Sequence, residues 1–316
     1  MDLMKAIVCS KYGPPEVLRI ESCERPIPKD NEVLIKIYAT SVTNSDIFIR
    51  SSKVRPLMLI PFRIMIGITK PRNKIIGQVF AGVIERVGNG IRKFSVGDKV
   101  YGLTGFSLGA YADYKTMKEV NSKQGCFSLM PRNIGFEEAT SAAYGGLLAL
   151  QFLEKKNIGK GTRVLIYGAS STSGIFALQL AKHLGAEVTC VCRENKFEFV
   201  QSLGADKVID YSKDESIAQL EHYSLIFDCV GKARKSNLRN ECMNHITNKT
   251  DFISIDDEAL LLSSERLVRI KNLVEEKIIE PINGKIFRFD QIVEAHKYVE
   301  LGHKIGNVAI VVNSET

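Results

Sequence analysis

The chain has 316 residues, of which 45% are hydrophobic and 25% are charged. This composition is typical of a globular protein with enough apolar material for two cores. Lys, Arg, Pro or Gly interrupts every apolar run and the N-terminus lacks a long apolar stretch, so we expect no membrane span and no signal peptide. The net charge of +7 is accompanied by no nucleic-acid-binding motif, so we expect no nucleic-acid partner.

The seven cysteines are odd in number and scattered, and no Cys-x-x-Cys pair occurs. A disulfide framework needs paired cysteines and an oxidising compartment. We therefore predict free thiols and a cytoplasmic location.

Short apolar runs separated by turn residues fill the first third of the chain. Residues 5–8, 32–37 and 78–84 are predicted strands, and residues 88–90 and 96–98 supply turns. Many short strands joined in this way predict a compact, barrel-like β domain.

The pattern changes near residue 125 to alternating strands and helices. Residues 163–167 form a continuous apolar strand, as a buried parallel sheet requires. Alternation of this kind predicts βαβ units. The other predicted elements are helices at 175–184 and 196–203 and strands at 187–192, 208–209 and 225–228.

Two further helices and a final strand are predicted after residue 256. Each helix has three apolar residues at helical spacing, which favours a face packed in the core. The last strand covers residues 307–312. The two helical faces are Leu267, Ile270 and Val274, and Ile292, Ala295 and Val299.

A turn of small residues lies between the strand at 163–167 and the helix that follows it. Small residues let the backbone approach a pyrophosphate, whose charge the first N–H groups of the helix stabilise. The alternative is a tight turn with a serine cap and no ligand. The candidate residues are Gly168, Ala169, Ser170, Ser171, Thr172, Ser173 and Gly174.

The end of the second strand bears on the choice of cofactor. NAD-binding proteins place an Asp or Glu there for the ribose 2′-hydroxyl. Here Arg193, Asn195 and Lys196 are candidates, and the two cations suit a 2′-phosphate, which favours NADP(H). Glu194 is the competing feature, because an inward-pointing carboxylate would allow NAD.

Several motifs in order carry a resemblance to a known family. They lie at residues 12–18, 39–46, 80–88, 94–100, 202–206, 228–231 and 302–308. On these motifs the chain resembles the zinc-free, quinone oxidoreductase-like branch of the medium-chain dehydrogenase/reductase family, along nearly its whole length. The resemblance implies an α/β protein with a Rossmann doubly wound parallel sheet and a GroES-like β-barrel catalytic domain.

The same resemblance implies domain limits and an activity. The catalytic domain would be residues 1–123 completed by 261–316, and the NADP(H)-binding domain residues 124–260. The expected activity is NADPH-dependent transfer of hydride to a small electrophile, namely a quinone, an enone or a reactive carbonyl. The nicotinamide supplies the hydride and the protein orients it. A homodimer is an open alternative to a monomer.

Zinc-dependent relatives carry Cys-His where this chain has Thr43-Asn44, and Gly-His-Glu where it has Gly77-Gln78-Val79. Zinc needs thiolate, imidazole or carboxylate ligands. The resemblance therefore implies that no metal is required.

The resemblance also implies roles for single residues. Asn44 is the first catalytic candidate, since its amide can donate to a substrate oxygen or to the cofactor; the alternative is a helix N-cap. Asp46, the second candidate, is expected to cap or orient rather than transfer protons. Tyr211 matches a position beside the adenosine. Val230, Gly231 and Asn307 lie in the motifs expected to contact the cofactor.

Two departures from the family pattern leave a second function open. Ser171 replaces the middle glycine of the turn, and Leu148 occupies the position of a threonine that lies near the nicotinamide in relatives. The alternative is an NADP(H)-binding sensor or interaction protein with little or no turnover.

Residues 50–74 contain seven basic residues and no acidic one. The apolar runs within this stretch have three interpretations: a mobile flap over the substrate pocket, a solvated loop with a few core anchors, or a basic membrane-surface segment. Pro56, Pro61 and Pro71 argue against the third interpretation by limiting helix length.

Overall fold

The computed structural model describes residues 2–53, 56–232, 236–248 and 251–314. The chain divides into two compact units. Unit 1 contains Met1–Tyr144, Leu262–Lys271 and Asn283–Thr316, and unit 2 contains Gly145–Leu261 and Asn272–Ile282.

Both units consist of strands and helices. The strands are β1 (Leu3–Cys9), β2 (Leu18–Glu24), β3 (Glu32–Ser41), β4 (Val79–Val87), β5 (Lys99–Leu103), β6 (Tyr114–Lys118), β7 (Cys126–Leu129), β8 (Arg163–Tyr167), β9 (Glu187–Cys192), β10 (Lys207–Asp210), β11 (Leu225–Asp228), β12 (Phe252–Ser254), β13 (Asn283–Arg288) and β14 (Asn307–Val311). The α-helices are α1 (Asn44–Ser51), α2 (Pro56–Ile66), α3 (Phe136–Ser141), α4 (Leu147–Leu153), α5 (Thr172–His183), α6 (Phe197–Ser202), α7 (Asn237–Glu241), α8 (Ser264–Glu275) and α9 (Ile292–Glu300).

Unit 1 contains a seven-stranded sheet in the order β13-β14-β3-β4-β5-β7, with β6 also paired to β3. The ten-residue strand β3 is long enough to pair with two strands along its length. Its first half pairs with β6 and its last residues pair with β14. Val33, Ile35 and Ile37 alternate along β3 and are buried with Phe80 of β4 and Phe127 of β7. The short alternating strands thus form the β domain predicted from the sequence.

Unit 2 contains a parallel sheet in the order β10-β9-β8-β11-β12. After β8 the chain adds β9 and β10 on one side. It then crosses over and adds β11 and β12 on the other side of β8. Because such crossovers are right-handed, the two halves place their helices on opposite faces, which is the doubly wound arrangement. The bounds predicted for β8, β9 and β11 are confirmed residue for residue.

The two late helices are also confirmed as core elements. All three residues of each predicted face are buried: Leu267, Ile270 and Val274 of α8, and Ile292, Ala295 and Val299 of α9. Among the described residues, no helix combines the length and the apolar character needed to cross a bilayer.

Candidate cofactor site and active-site turn

The turn between β8 and α5 depends on two glycines. Gly168 has a φ of 82°, and a Cβ there would lie 2.5 Å from Val230 Cγ2. A Cβ on Gly174 would lie 2.4 Å from the carbonyl oxygen of Gly168. The glycines therefore allow α5 to begin directly beside the strand. The first N–H groups of α5 then lie at the carboxyl end of the sheet, where a phosphate can bind.

Ser171 is the N-cap of α5. Its Oγ accepts a hydrogen bond from the Gly174 amide at 3.1 Å. The hydroxyl can still donate its own proton, so capping and phosphate binding are compatible. Ser170, Thr172 and Ser173 of the same turn are buried, which keeps these short side chains within the fold.

Lys196 brings a positive charge to this turn from the end of β9. Its Nζ donates a hydrogen bond to Ser170 Oγ at 3.3 Å, and the residue is only 8% exposed. Burial lowers the pKa of Lys196, although the nearby Cys192 opposes the shift. A cation held against a glycine-rich turn suits a phosphate ligand.

The neighbouring residues of the β9–α6 turn are exposed. Arg193 donates from Nε to the Tyr211 hydroxyl at 2.9 Å, and its guanidinium lies 5.8 Å from the centre of that ring. Glu194 pairs with Lys213 at 2.8 Å across the surface. Asn195 is also exposed. Glu194 is therefore engaged by a cation at the surface rather than held inward.

Asp210, at the end of β10, holds this turn in place. Its carboxylate accepts from the Glu194 amide at 3.0 Å and from the Ser212 amide and hydroxyl at 2.8 and 2.6 Å. Burial raises the pKa of Asp210, but these hydrogen bonds outweigh burial, so the net pKa is below its usual value. The carboxyl ends of β9 and β10 are thereby joined.

Asp228, at the end of β11, fixes the third turn at the same edge of the sheet. Its Oδ1 accepts from the amides of Val230 and Gly231 at 3.0 and 3.1 Å. Its Oδ2 accepts from Arg239 Nε at 2.9 Å and from the Ser254 hydroxyl at 3.0 Å. Val230 and Gly231, both predicted from the sequence, thus lie at the same end of the sheet as the glycine-rich turn.

In unit 1, the active-site turn leads into α1. Thr43 is the N-cap, and the Asp46 carboxylate accepts from the Thr43 amide at 2.9 Å and from its hydroxyl at 2.7 Å. Asp46 therefore caps the helix, as expected. The alternative that made Asn44 the N-cap is wrong, because the cap falls one residue earlier. Asn44 is the exposed first residue of α1.

A buried polar cluster lies beneath this turn. Asp46 is fully buried, and burial raises its pKa to about 6 although hydrogen bonds from Thr43 lower it. His296 of α9 is also fully buried, and burial together with the Arg50 cation lowers its pKa to about 3. The Tyr111 hydroxyl hydrogen-bonds His296 Nε2 at 3.2 Å.

Arg50 is the cation of the cluster. It is 1% exposed and donates to the carboxylate of Glu300. Of this cluster, only Asp46 was predicted from the sequence as a site residue. Two signals were available: Arg50 follows Asp46 by four residues on α1, and His296 follows Ile292 by four on the apolar face of α9.

The positions that zinc-dependent relatives use for ligands do not contain metal-binding side chains. Thr43 is engaged in capping, and Gln78 and Val79 lead into β4. Across the described ranges, no group of three His, Cys, Asp or Glu residues could hold a metal ion. Zinc independence stays a prediction.

Asn307, predicted to contact the cofactor, is 1% exposed in unit 1. Its amide donates to Thr140 Oγ1 at 2.9 Å and to Asn283 Oδ1 at 3.0 Å. Both amide hydrogens are therefore used to join β14 to α3 and β13. A cofactor contact from Asn307 stays a prediction and would use its amide oxygen.

Known families match both parts of the chain. Residues 29–131 match the alcohol dehydrogenase GroES-like domain, and residues 174–247 match the zinc-binding dehydrogenase family.

The relatives are similar over nearly the whole chain. The chain is 28% identical to 2-methylene-furan-3-one reductase of Solanum lycopersicum, over 97% of this chain and 79% of the relative. It is 30% identical to NAD(P)H oxidoreductase RTN4IP1, mitochondrial, of Bos taurus, over 98% of this chain and 89% of the relative. The solved quinone oxidoreductase of Coxiella burnetii has the same fold, with a TM-score of 0.83, 24% identity and coverage of 99% of this chain and 100% of that one.

Proposed function

Because this chain is an oxidoreductase that belongs to the quinone oxidoreductase-like branch of the medium-chain dehydrogenase/reductase family, we propose that it is an NADPH-dependent, zinc-independent reductase. Its substrate would be a small quinone, enone or reactive carbonyl. Residues 1–123 with 261–316 would form the catalytic domain, and residues 124–260 the cofactor domain. The cysteine pattern supports a cytoplasmic location.

One observation carries the choice of cofactor: the charges at the end of β9. Lys196 lies against Ser170 of the glycine-rich turn, and Arg193 follows the strand directly. The only carboxylate of this turn, Glu194, pairs with Lys213 at the surface. A 2′-phosphate would therefore meet two cations, whereas the Glu194 carboxylate is paired at the surface and turned away from a 2′-hydroxyl.

The geometry of the turn fits a dinucleotide. The positive φ of Gly168 and the close packing at Gly174 place the start of α5 at the carboxyl end of β8, where a dinucleotide phosphate can bind. Lys196 and Arg193 would meet the 2′-phosphate, and Tyr211 would lie beside Arg193 at the adenosine end. When bound, the nicotinamide supplies the hydride. The residues of this protein would bind and orient the cofactor and the substrate.

The substrate class follows from the relatives and from the active-site turn. One relative is named a reductase of a methylene-furanone, which is an enone, and another an NAD(P)H oxidoreductase. The capping box of Thr43 and Asp46 holds the first turn of α1. The backbone position from which the Asn44 side chain extends is therefore fixed. A neutral amide can donate to a developing enolate or alkoxide oxygen without a metal.

Cofactor titrations test the proposal. NADPH and NADH would be titrated calorimetrically into the parent and into Arg193→Gln, Lys196→Gln and the control Lys207→Gln. Lys207 pairs with Glu221, away from the turn. We expect NADPH to bind more tightly than NADH, and each of the first two variants to weaken NADPH at least about tenfold, since a hydrogen bond to a charged group contributes about 1.5–3 kcal/mol. Equal affinities in the parent would contradict the proposal.

Turnover is tested by NADPH oxidation against a panel of quinones, enones and aldehydes. We expect at least one class to be reduced, with activity unaffected by a zinc chelator. Asn44→Ala should lower kcat more than it raises KM, because the amide would act on charge that develops during reaction. Tight NADPH binding without turnover of any class would instead support the sensor function.

A further inference from the structure

Helix α2 presents an apolar face to solvent. Ile60, Ile64 and Met65 are 72%, 59% and 47% exposed, and Ile68, just after the helix, is 68% exposed. Ile60 and Ile64, four residues apart, lie on one side of the helix, and Met65 is adjacent to Ile64. The opposite side is anchored, because Ile66 is buried in the core of unit 1. The structure thus gives this segment a helix, with Pro61 inside it, rather than the solvated loop that was one alternative; residues 54 and 55 lie outside the described part.

Specific contacts hold this helix in place. Arg63 donates from Nε to Ser52 Oγ at 3.1 Å, and its guanidinium lies 5.2 Å from the centre of the Tyr12 ring. The Tyr12 hydroxyl donates to the carbonyl of Gly67 at 2.5 Å. Arg72 donates to the carbonyl of Ile64 at 2.8 Å. The apolar face is therefore a fixed feature of unit 1.

The segment that carries this face is also basic. Residues 50–74 contain seven Lys or Arg residues and no Asp or Glu. Of these, Lys53, Lys70, Arg72 and Lys74 are exposed. A second copy of the chain docking here by its own α2 face would bring like charges together, which is unfavourable. The charges therefore favour an anionic occupant, and the face requires one that accepts protruding apolar side chains.

We propose that the α2 face, defined as Ile60, Ile64, Met65 and Ile68, docks onto an anionic lipid surface. The four side chains enter the boundary between headgroups and acyl chains, and the exposed cations of the segment contact lipid phosphates. A lipid surface needs no shape complementary to the helix, and it matches both the apolar and the cationic character of the segment. This binding involves no membrane span and does not depend on the proposed reaction.

Vesicle sedimentation tests the proposal with the full chain and no cofactor. The vesicles contain phosphatidylcholine alone or mixed with phosphatidylglycerol. One variant removes the apolar contacts, Ile60→Ser with Ile64→Ser. In its control, two exposed apolar residues of other segments are substituted instead, Ile27→Ser with Val120→Ser.

A second pair of variants tests the charges. Lys53, Lys70 and Lys74 are changed together to Gln, and the matched control changes Lys29, Lys93 and Lys118, which are also exposed. Both triple variants have the same net charge. Thermal unfolding of every variant checks that the exposed substitutions leave the fold intact.

We expect the parent to bind the mixed vesicles, to bind neutral vesicles far less, and to be released by salt. At about 1 kcal/mol per cation near an anionic surface, the α2 triple variant should lose about a hundredfold in partitioning. The α2 apolar variant should also lose at least about tenfold, and both controls should bind nearly as the parent does.

Four results would overturn the proposal. The first is failure of the parent to bind the mixed vesicles. The second is equal loss of binding by the two triple variants, which would show a general effect of net charge. If the parent is a dimer and the α2 apolar variant is a monomer, the α2 face is a protein interface instead. Binding of polyglutamate in place of vesicles would indicate an acidic protein partner.

Discussion

The buried cluster at the active-site turn predicts two opposite pH dependences that cancel in the parent protein. Burial raises the pKa of Asp46 to about 6 and, with Arg50, lowers the pKa of His296 to about 3. Between about pH 4 and pH 6, folded Asp46 keeps a proton that the unfolded chain releases. In the same range, folded His296 lacks a proton that the unfolded chain binds.

The sign follows from proton linkage. Because the folded chain binds the Asp46 proton more tightly, the contribution of Asp46 to stability falls as pH rises through this window, by about 1.4 kcal/mol per pH unit. The unfolded chain binds the His296 proton more tightly, so the contribution of His296 falls as pH decreases, by about the same amount. The two slopes cancel from about pH 4 to pH 6.

A substitution that removes one of the two groups should reveal the pH dependence of stability that the other contributes. Relative to the parent, Asp46→Asn should become less stable by about 3 kcal/mol as pH falls from about 6 to about 4. His296→Gln should become more stable than the parent by a similar amount over the same change. A constant offset at every pH is expected from altered capping or packing and does not affect these slopes.

The measurement is the free energy of unfolding in urea, as the difference between variant and parent at each pH. The exposed residues His303 and Asp30 provide controls, as His303→Gln and Asp30→Asn, and their differences should stay flat. If the Asp46 and His296 variants both give flat differences, or slopes of the same sign, the linkage argument is wrong.

Four further outcomes can be checked. Ser171→Ala should weaken NADPH binding several-fold and cost about 0.5–2 kcal/mol of stability through loss of the α5 cap, whereas Ser171→Gly should cost only a few tenths, by calorimetry and thermal unfolding; better cofactor binding by the glycine variant, with the alanine variant unchanged, would show that Ser171 acts sterically. Gly168→Ala should lower the melting temperature and abolish tight cofactor binding, because its φ is positive and the new Cβ would meet Val230. Arg239→Gln should destabilise by about 3–5 kcal/mol, since it leaves the fully buried Asp228 carboxylate without its cation; a thermal unfolding curve like that of the parent would refute this. Elemental analysis of the purified protein should find no stoichiometric metal, and one tightly bound zinc per chain would contradict that expectation.

Local sequence patterns predicted strands β8, β9 and β11 of unit 2 and its glycine-rich turn, but not β12 or α7. Strands β8, β9 and β11 are short, mainly apolar segments, and their length and flanking turn residues favour buried parallel strands over helices. Gly168 and Gly174 sit where a strand must give way directly to a helix. These features depend on neighbours within a few residues, so local pattern and composition were sufficient.

The tertiary structure decided which of these residues meet. Glu194 forms an ion pair with Lys213, 19 positions later in the chain. Asp228 forms an ion pair with Arg239 and accepts a hydrogen bond from Ser254. The order of strands, which no local pattern encodes, brings such partners together.

The same reason explains the buried cluster. Tyr111 and His296 are separated by 185 positions and are joined by a hydrogen bond that the packing of α9 creates. The raised pKa of Asp46 comes from burial, which the sequence shows only as a polar residue at the start of a helix. Contacts and solvent exclusion depend on the folded arrangement of distant segments, and therefore only the structure could supply them.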